Sequence, residues 1–267
     1  MLTDITLGQY FPGNSIIHRL DPRIKIFITL LFFGGIFLAG NYSSYGLLIL
    51  FSGFIISKAG VPIKHIARSI KPLWLLILLT VSVHIFSTPG TVILNIGPLT
   101  ATMEGLQQAL FMTVRLVLLI IIASILTLTT SPLVLTDGVE HLLSPFRRIG
   151  LPAHEIAMMM TIALRFIPTL LEETDRIMKA QTARGADFIH GNILQRVKNM
   201  VPLLVPLFIS AFRRADELAV AMEARCYRGG ENRTRMKELK YHMRDWLAFV
   251  VALIVIACVG GLRWVAN

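Results

Sequence analysis

The stretch GLQQALFMTVRLVLLIIIASILTL, Gly105–Leu128, carries one charged residue, Arg115, within a long and mostly apolar run. A helix of about 20 apolar residues crosses a hydrocarbon core of roughly 30 Å. The length and composition of this stretch therefore predict a transmembrane helix. A helix on the surface of a soluble domain would carry a polar face along its length.

Four other apolar runs predict the remaining spans of an all-α, polytopic membrane protein with about five transmembrane helices. They are Ile24–Gly40, Tyr42–Ser57, Pro72–Ser87 and Trp246–Val265. The chain is 54% hydrophobic and only 16% charged, whereas soluble domains carry about a quarter charged residues. We therefore divide it into an N-terminal bundle of four spans (1–128), cytoplasmic amphipathic helices (129–245) and a C-terminal transmembrane helix (246–267).

Basic residues predict the orientation of these spans. Arg19, Arg23 and Lys25 adjoin the first span, and residues 58–71 carry four cations and no acid. Connections rich in Lys and Arg face the cytoplasm, so we expect a cytoplasmic N-terminus and, after five crossings, a C-terminus outside. Arg263 is then the cation that departs from the rule. Because the net charge of +10 follows this pattern, we expect the bilayer, and no nucleic acid, as the partner of the basic residues.

The insert over 129–245 is charged but not a polar linker. It holds 17 of the 26 Lys and Arg residues and 13 of the 16 Asp and Glu residues. Its apolar stretches, Ile156–Ile167 and Val201–Phe212, each run into charged residues with apolar positions at helical spacing, which predicts two long amphipathic helices. We expect kinks or new helix starts at the interior prolines, Pro168, Pro202 and Pro206.

Both amphipathic helices end in an Ala-Arg-small tripeptide, Ala183-Arg184-Gly185 and Ala224-Arg225-Cys226. An offset of 41 residues superimposes these endings and a few further positions, which indicates a weak internal repeat. An arginine at a helix C-terminus also complements the helix dipole, and this is a sufficient structural reason for either one alone. Small neighbours, however, let a partner approach the five donors of a guanidinium closely. We therefore predict a two-pronged docking site on two parallel helices.

Five motifs spread over nearly the whole chain are YFPGNSIIHRLDPRIK (residues 10–25), GLP (150–152), LRFIP (164–168), AQTARG (180–185) and ARC (224–226). Together they resemble the motifs of a known family, the transmembrane T components of energy-coupling factor transporters. These transporters are ABC-type importers, and their cobalt and nickel versions have related T components.

This resemblance implies a coupling subunit in the cell membrane that serves the uptake of a vitamin or another micronutrient. Two cytoplasmic ABC-type ATPases would dock on the amphipathic helices, which are then coupling helices, and a membrane S component would bind the substrate. ATP and Mg²⁺ would lie on the ATPases, so the resemblance implies no cofactor, catalytic residue or metal site in this chain. The implied docking residues are Ala183, Arg184, Gly185, Ala224, Arg225 and Cys226.

No catalytic motif indicates a competing function. The chain has no Walker A, His-Glu-x-x-His or Gly-x-Ser-x-Gly sequence, so we expect that it is not an enzyme. A stand-alone secondary transporter is the alternative, although such proteins pair ionisable groups at the midplane, where only Arg115 is expected. We expect a structural or subunit-contact role for Arg115, a hydrogen-bonded structural role for His84, and a packing or capping role for His18.

Overall fold

A computed structural model describes residues 10–96, 99–188, 193–229 and 239–265. Within these ranges the chain forms nine α-helices and one antiparallel β-hairpin. Their bounds are α1 Pro22–Leu38, α2 Tyr42–Ala59, α3 Ile63–Ile70, α4 Trp74–Ser87, β1 Val92–Ile96, β2 Leu99–Thr102, α5 Met103–Thr129, α6 Pro132–Leu143, α7 Ala153–Ala183, α8 Ile193–Ala224 and α9 Met243–Val265.

The chain contains two compact units. The first, which we call the bundle unit, comprises residues 8–138 and 238–267, and the second comprises residues 1–7 and 139–237. The three predicted domains also contain residues 1–9, 97–98, 189–192, 230–238 and 266–267, which lie outside the described residues.

Four helices, α1, α2, α5 and α9, form the core of the bundle unit. α1 and α2 each contact both α5 and α9. The buried apolar side chains between them are Phe32, Ile36, Tyr45, Leu48, Leu118, Ile122, Ala252 and Val259. α4 packs along α5 and has no buried side chain of its own. A helix that is apolar all round without being buried by protein suits a hydrocarbon environment.

Five helices in the described ranges are long and apolar enough to cross a membrane. They are Tyr42–Ala59, Ile63–Ser87 (α3 and α4 joined by a 3-10 turn, Lys71–Leu73), Met103–Thr129, Ala153–Ala183 and Met243–Trp264. The predicted class, an all-α polytopic membrane protein, is thereby confirmed, but the set differs from the predicted one. α1, the first predicted span, has only 17 residues. α7 is included because its apolar first half is part of one helix of 31 residues, although the sequence placed it in the cytoplasmic insert.

Interior prolines do not divide the two long helices of the second unit. α7 continues through Pro168, and α8 continues through Pro202 and Pro206. New helix starts at these positions are therefore wrong, and the alternative, a kink at each proline, stays a prediction. Each proline removes one backbone donor, but several turns on both sides retain their hydrogen bonds. Two helices of 31 and 32 residues result.

The N-terminal motif folds onto one end of the bundle unit. Lys25 is only 6% exposed, and its ammonium donates to the carbonyl of Thr129 at 3.0 Å. The Asp245 carboxylate, 1% exposed, accepts hydrogen bonds from the backbone amides of Asp21 and His242 at 2.9 and 2.8 Å. These bonds connect the starts of α1 and α9 with the end of α5.

The side chain of His18 has the packing role predicted for it. Its Nδ1 lies 2.7 Å from the hydroxyl of Ser15, and its Nε2 lies 3.0 Å from the carbonyl oxygen of Phe11. Its own carbonyl accepts a hydrogen bond from Lys25 at 3.2 Å. Lys25, counted among the orienting cations from sequence, is thus a buried structural residue rather than a cation at the membrane surface.

Arg115 has a structural role in the bundle unit, as expected. Its Nε donates to the hydroxyl of Tyr45 at 3.1 Å, its Nη2 donates to the carbonyl of Ala39 at 3.4 Å, and its guanidinium lies 5.7 Å from the centre of the Phe37 ring. Although it lies near the middle of α5, it meets the turn between α1 and α2. The start of α1 lies at the end of α5, where Lys25 is bonded to Thr129. Because α1 has 17 residues and α5 has 27, α1 then ends beside the middle of α5.

α4 and α5 approach each other closely next to the hairpin. A Cβ on Gly105 would lie 2.7 Å from the carbonyl oxygen of His84 and 2.9 Å from that of Ile85. The Thr102 hydroxyl caps α5 by accepting a hydrogen bond from the Gly105 amide at 3.1 Å. The hydrogen bond expected for the His84 ring is absent among the described residues, and the backbone of His84 forms the close contact instead.

Candidate docking site

α7 ends in a Schellman turn around Arg184. The Ala186 amide donates to the carbonyl of Gln181 at 3.0 Å, and the Gly185 amide donates to that of Thr182 at 2.9 Å. Gly185 has φ = 89°, the left-handed conformation that this turn requires and that glycine adopts without a steric cost. The turn ends the helix immediately beyond the arginine.

α8 ends in the same turn around Arg225. The Tyr227 amide donates to the carbonyl of Met222 at 3.0 Å, and the Cys226 amide donates to that of Glu223 at 2.8 Å. Cys226 has φ = 57° and is the one non-glycine residue with positive φ in the described ranges. A side chain in this conformation costs about 1 kcal/mol, so the turn is kept here at the expense of local strain.

The two helix ends are structurally equivalent at an offset of 41 residues. Gln181 corresponds to Met222 and Arg184 to Arg225, and each hydrogen bond of the first turn has its counterpart in the second. In the sequence alone, the offset of 41 residues is supported by only a few matching residues. The shared backbone geometry shows that the two arginines stand in equivalent local structures.

α7 and α8 pack against each other in antiparallel orientation. The Glu173 carboxylate accepts hydrogen bonds from the Ser210 hydroxyl at 2.6 Å and from Arg214 Nη2 at 2.8 Å. Two turns further along α7, the side-chain amide of Gln181 donates to the carbonyl of Pro202 at 3.5 Å. Pro202 precedes Ser210 in α8, so the contacts move toward the start of α8 as they move toward the end of α7. The parallel arrangement predicted from sequence is therefore wrong. Helices joined by a short connection are usually antiparallel neighbours.

The antiparallel packing places Arg184 and Arg225 at opposite ends of the helix pair. At a rise of 1.5 Å per residue, Arg184 and Arg225 are separated by roughly 35 Å along the helix axis. The structure therefore has two separate ends of similar geometry rather than one two-pronged site. All six predicted docking residues are exposed, namely Ala183, Arg184, Gly185, Ala224, Arg225 and Cys226.

Neither arginine is engaged within the part of the chain that the structure describes. The Arg184 and Arg225 guanidinium groups form no ion pair or hydrogen bond with other described residues. By contrast, Arg214 on the same pair of helices is bound to Glu173. Each free guanidinium keeps its five donors for a partner, and an Arg in a well-packed pocket is a frequent source of binding energy at interfaces.

An exposed apolar stripe runs along one face of α8. Its residues are each between 41% and 68% exposed and recur in the i, i+3, i+4, i+7 pattern of one helix face: Val201, Leu204, Val205, Phe208, Ile209 and Phe212. This spacing places them on one side of the helix. A contiguous apolar surface of this kind marks contact with a protein partner or with a membrane.

These features define the class as an all-α polytopic membrane protein with a pair of long, arginine-ended helices. The family model described as CbiQ, cobalt transport protein, matches residues 13–236. The chain therefore belongs to this family, among the transmembrane T components of energy-coupling factor transporters.

Relatives with the name "energy-coupling factor transporter transmembrane protein EcfT" match this chain over nearly its full length. The protein of Acidaminococcus fermentans is 60% identical, covering 99% of this chain and 98% of its own length. That of Bacillus subtilis is 50% identical, covering 96% and 97%. That of Listeria innocua is 46% identical and covers both chains completely. These proteins are named as components of a transporter, not as enzymes.

Proposed function

We propose that this chain couples two cytoplasmic ABC-type ATPases to a substrate-binding membrane S component. The observation that carries the proposal is the equivalence of the helix ends around Arg184 and Arg225. Two equivalent ends at opposite extremes of one helix pair suit two similar partners, because each partner meets the same turn and the same exposed guanidinium. ATP and Mg²⁺ belong to those partners in this proposal, and the chain itself is not an enzyme.

The apolar stripe of α8 is the surface proposed for the S component. It occupies the stretch from Val201 to Phe212, between the start of α8 and its arginine end at Arg225. Because α8 is one continuous helix, a displacement of its end by an ATPase also displaces the stripe. This coupling would reorient the S component for the import of a vitamin or another micronutrient.

The proposed orientation places the N-terminus in the cytoplasm and the C-terminus outside. It is supported by the cations at one end of the bundle unit, where Lys58 lies in the last turn of α2 and α3 carries Lys64 and Arg68. At the opposite end, the turn after α1 carries no charge of its own, and Arg263 is held there by a hydrogen bond to the carbonyl of Leu38 at 3.1 Å. This bond explains a cation on the side where the positive-inside rule expects few.

Co-purification with the two ATPases tests the docking role. The double variant Arg184→Glu, Arg225→Glu should lose both ATPases from the purified complex. Each substitution removes a guanidinium donor and places a carboxylate at the contact, where it faces acceptor groups of the partner instead of donors. The matched control is Arg176→Glu, Arg213→Glu, which makes the same charge change at exposed positions of the same helices. Undiminished ATPase binding by the first variant would refute the docking role.

A stand-alone transporter gives a different result in a second experiment. The purified chain alone, reconstituted in liposomes, should accumulate no vitamin, whereas the chain with its ATPases and S component should do so on addition of ATP. Uptake by the chain alone would support the secondary transporter instead.

A further inference from the structure

A cavity of about 350 Å³ opens between α1, α2, α5 and α9 in the bundle unit. Its wall is almost entirely apolar and includes Ile28, Phe32, Phe51, Ile122 and Val251. Ligand sites in proteins commonly enclose about 300–1,000 Å³. The proposed coupling function involves α7 and α8 and leaves this cavity without a role.

The buried polar side chains of the wall already donate hydrogen bonds within the chain. The Thr29 hydroxyl donates to the carbonyl of Lys25 at 2.8 Å, and the Thr129 hydroxyl donates to that of Ile125 at 2.7 Å. The Lys25 ammonium donates to oxygens of three residues of the bundle unit. The donors of these groups are therefore used within the chain and none is left for a polar ligand, and an apolar cavity of this kind does not favour water.

Two further cations line the cavity at one end. Lys58 lies in the last turn of α2 and Arg244 in the first turn of α9, and both are exposed. Neither has a carboxylate within 4.0 Å among residues 10–96, 99–188, 193–229 and 239–265. The Lys58 ammonium lies 5.8 Å from the centre of the Phe54 ring.

We propose that this cavity binds an anionic phospholipid. One acyl chain occupies the apolar interior, and the phosphate group lies at Lys58 and Arg244. The cavity follows α9 from Arg244 to Ala252, a rise of roughly 12 Å. That depth is close to the hydrocarbon thickness of one leaflet, about 15 Å.

The distribution of charge selects this occupant. A fully apolar ligand would gain no attraction from the two exposed cations, and a small soluble anion would leave the apolar interior empty. An amphiphile with a negative head and a hydrocarbon tail satisfies both ends. Because the cations lie where α2 ends and α9 begins, the lipid comes from the leaflet next to that end of the bundle unit, the cytoplasmic leaflet in the orientation proposed above.

Native mass spectrometry of the full chain tests the proposal by titration with three probes. They are phosphatidylglycerol, phosphatidylcholine with the same acyl chains, and glycerophosphoglycerol, which carries the head group without acyl chains. We expect one phosphatidylglycerol to bind at least tenfold more tightly than phosphatidylcholine, and the head group alone not to bind. Equal affinity for the two lipids, or binding of the head group alone, would overturn the proposal.

Charge variants identify the site. Lys58→Gln and Arg244→Gln should each weaken phosphatidylglycerol binding about fivefold, and the double variant about thirtyfold, with little change for phosphatidylcholine. Lys64→Gln is the matched control, because Lys64 is an exposed cation of the adjacent helix α3 that does not line the cavity. An equal loss in this control would show general surface attraction and would contradict a defined site.

Filling the cavity tests the position of the acyl chain. Ala248→Phe places a ring among the lining residues and leaves Lys58 and Arg244 unchanged. Phosphatidylglycerol binding should fall at least tenfold in this variant, and unchanged binding would refute an acyl chain in the cavity. A thermal unfolding curve in detergent establishes that the variant is folded. If it is not folded, the exposed charge variants decide the question on their own.

Discussion

Glu173 and Arg214 form the ion pair that joins α7 to α8, with 2.8 Å between Oε2 and Nη2. They are separated by the same 41 positions that relate Arg184 to Arg225. Arg184 lies 11 residues beyond Glu173, and Arg225 lies 11 residues beyond Arg214. Because the two helices are antiparallel, the ion pair therefore lies midway between the two arginine ends.

The ion pair between Glu173 and Arg214 should stabilise the packing of α7 against α8. Glu173→Arg and Arg214→Glu each place like charges together, and each should lower the free energy of unfolding by about 1 kcal/mol, because the side chains are only partly exposed. The exchanged double variant Glu173→Arg, Arg214→Glu restores opposite charges and should recover most of the loss. Thermal unfolding of the four proteins in one detergent measures the coupling. Additive losses in the double variant would show that the pair contributes nothing as a pair.

Because Arg184 and Arg225 lie far apart, we predict that each single variant loses only one of the two ATPase subunits. Arg184→Glu alone should leave the ATPase at the α8 end bound, and Arg225→Glu alone should leave the one at the α7 end. Each single variant should therefore purify with about one ATPase subunit instead of two, as determined by native mass spectrometry of the complex. Arg176→Glu, at an exposed position of α7, should keep both. Loss of both ATPases from either single variant would show that they bind cooperatively rather than at independent ends.

The sequence predicted the class and the candidate residues because both depend on local patterns. Apolar runs such as Gly105–Leu128 have a length that only a bilayer or a large core accounts for. The Ala-Arg-small endings likewise indicate a helix end without knowledge of tertiary structure. The antiparallel packing of α7 and α8 depends instead on contacts between distant residues, such as Glu173 with Ser210. No periodicity within one helix contains that information.

Buried polar residues were the second feature that the sequence did not predict. Lys25 and Asp245 adjoin apolar runs, and charge counting treats such residues as solvated markers of the membrane surface. In the structure both are buried and bonded to the backbone of other segments. The N-terminal motif around His18 is the only local signal for this arrangement, since a conspicuous polar motif beside a span needs partners when it is buried.

The close approach of α4 to α5 should make Gly105 intolerant of a side chain. Gly105→Ala would bring a Cβ to 2.7 Å from the carbonyl oxygen of His84, so the two helix backbones must separate. We expect a loss of about 1–3 kcal/mol in the free energy of unfolding. Gly53→Ala is the control, because a Cβ at this helical position of α2 meets nothing within 4 Å. It should be neutral or stabilising, and equal destabilisation by the two variants would contradict the role of the contact.

Substitutions of the residues after Arg184 and Arg225 should change stability in opposite directions. Cys226→Gly relieves the strain of a side chain at φ = 57° and should raise the free energy of unfolding by roughly 0.5–1 kcal/mol. Gly185→Cys places the same side chain at φ = 89° in the equivalent turn of α7 and should lower it by about 1 kcal/mol.

Thermal unfolding under reducing conditions measures both changes, and Cys258→Gly serves as a control for removal of a thiol at a helical position, where glycine destabilises by up to about 1 kcal/mol. Both turns should still bind the ATPases in these variants, because the arginine and the turn are retained. If Cys226→Gly were destabilising, the cysteine would contribute a contact that outweighs its backbone strain, and the two helix ends would differ in more than sequence.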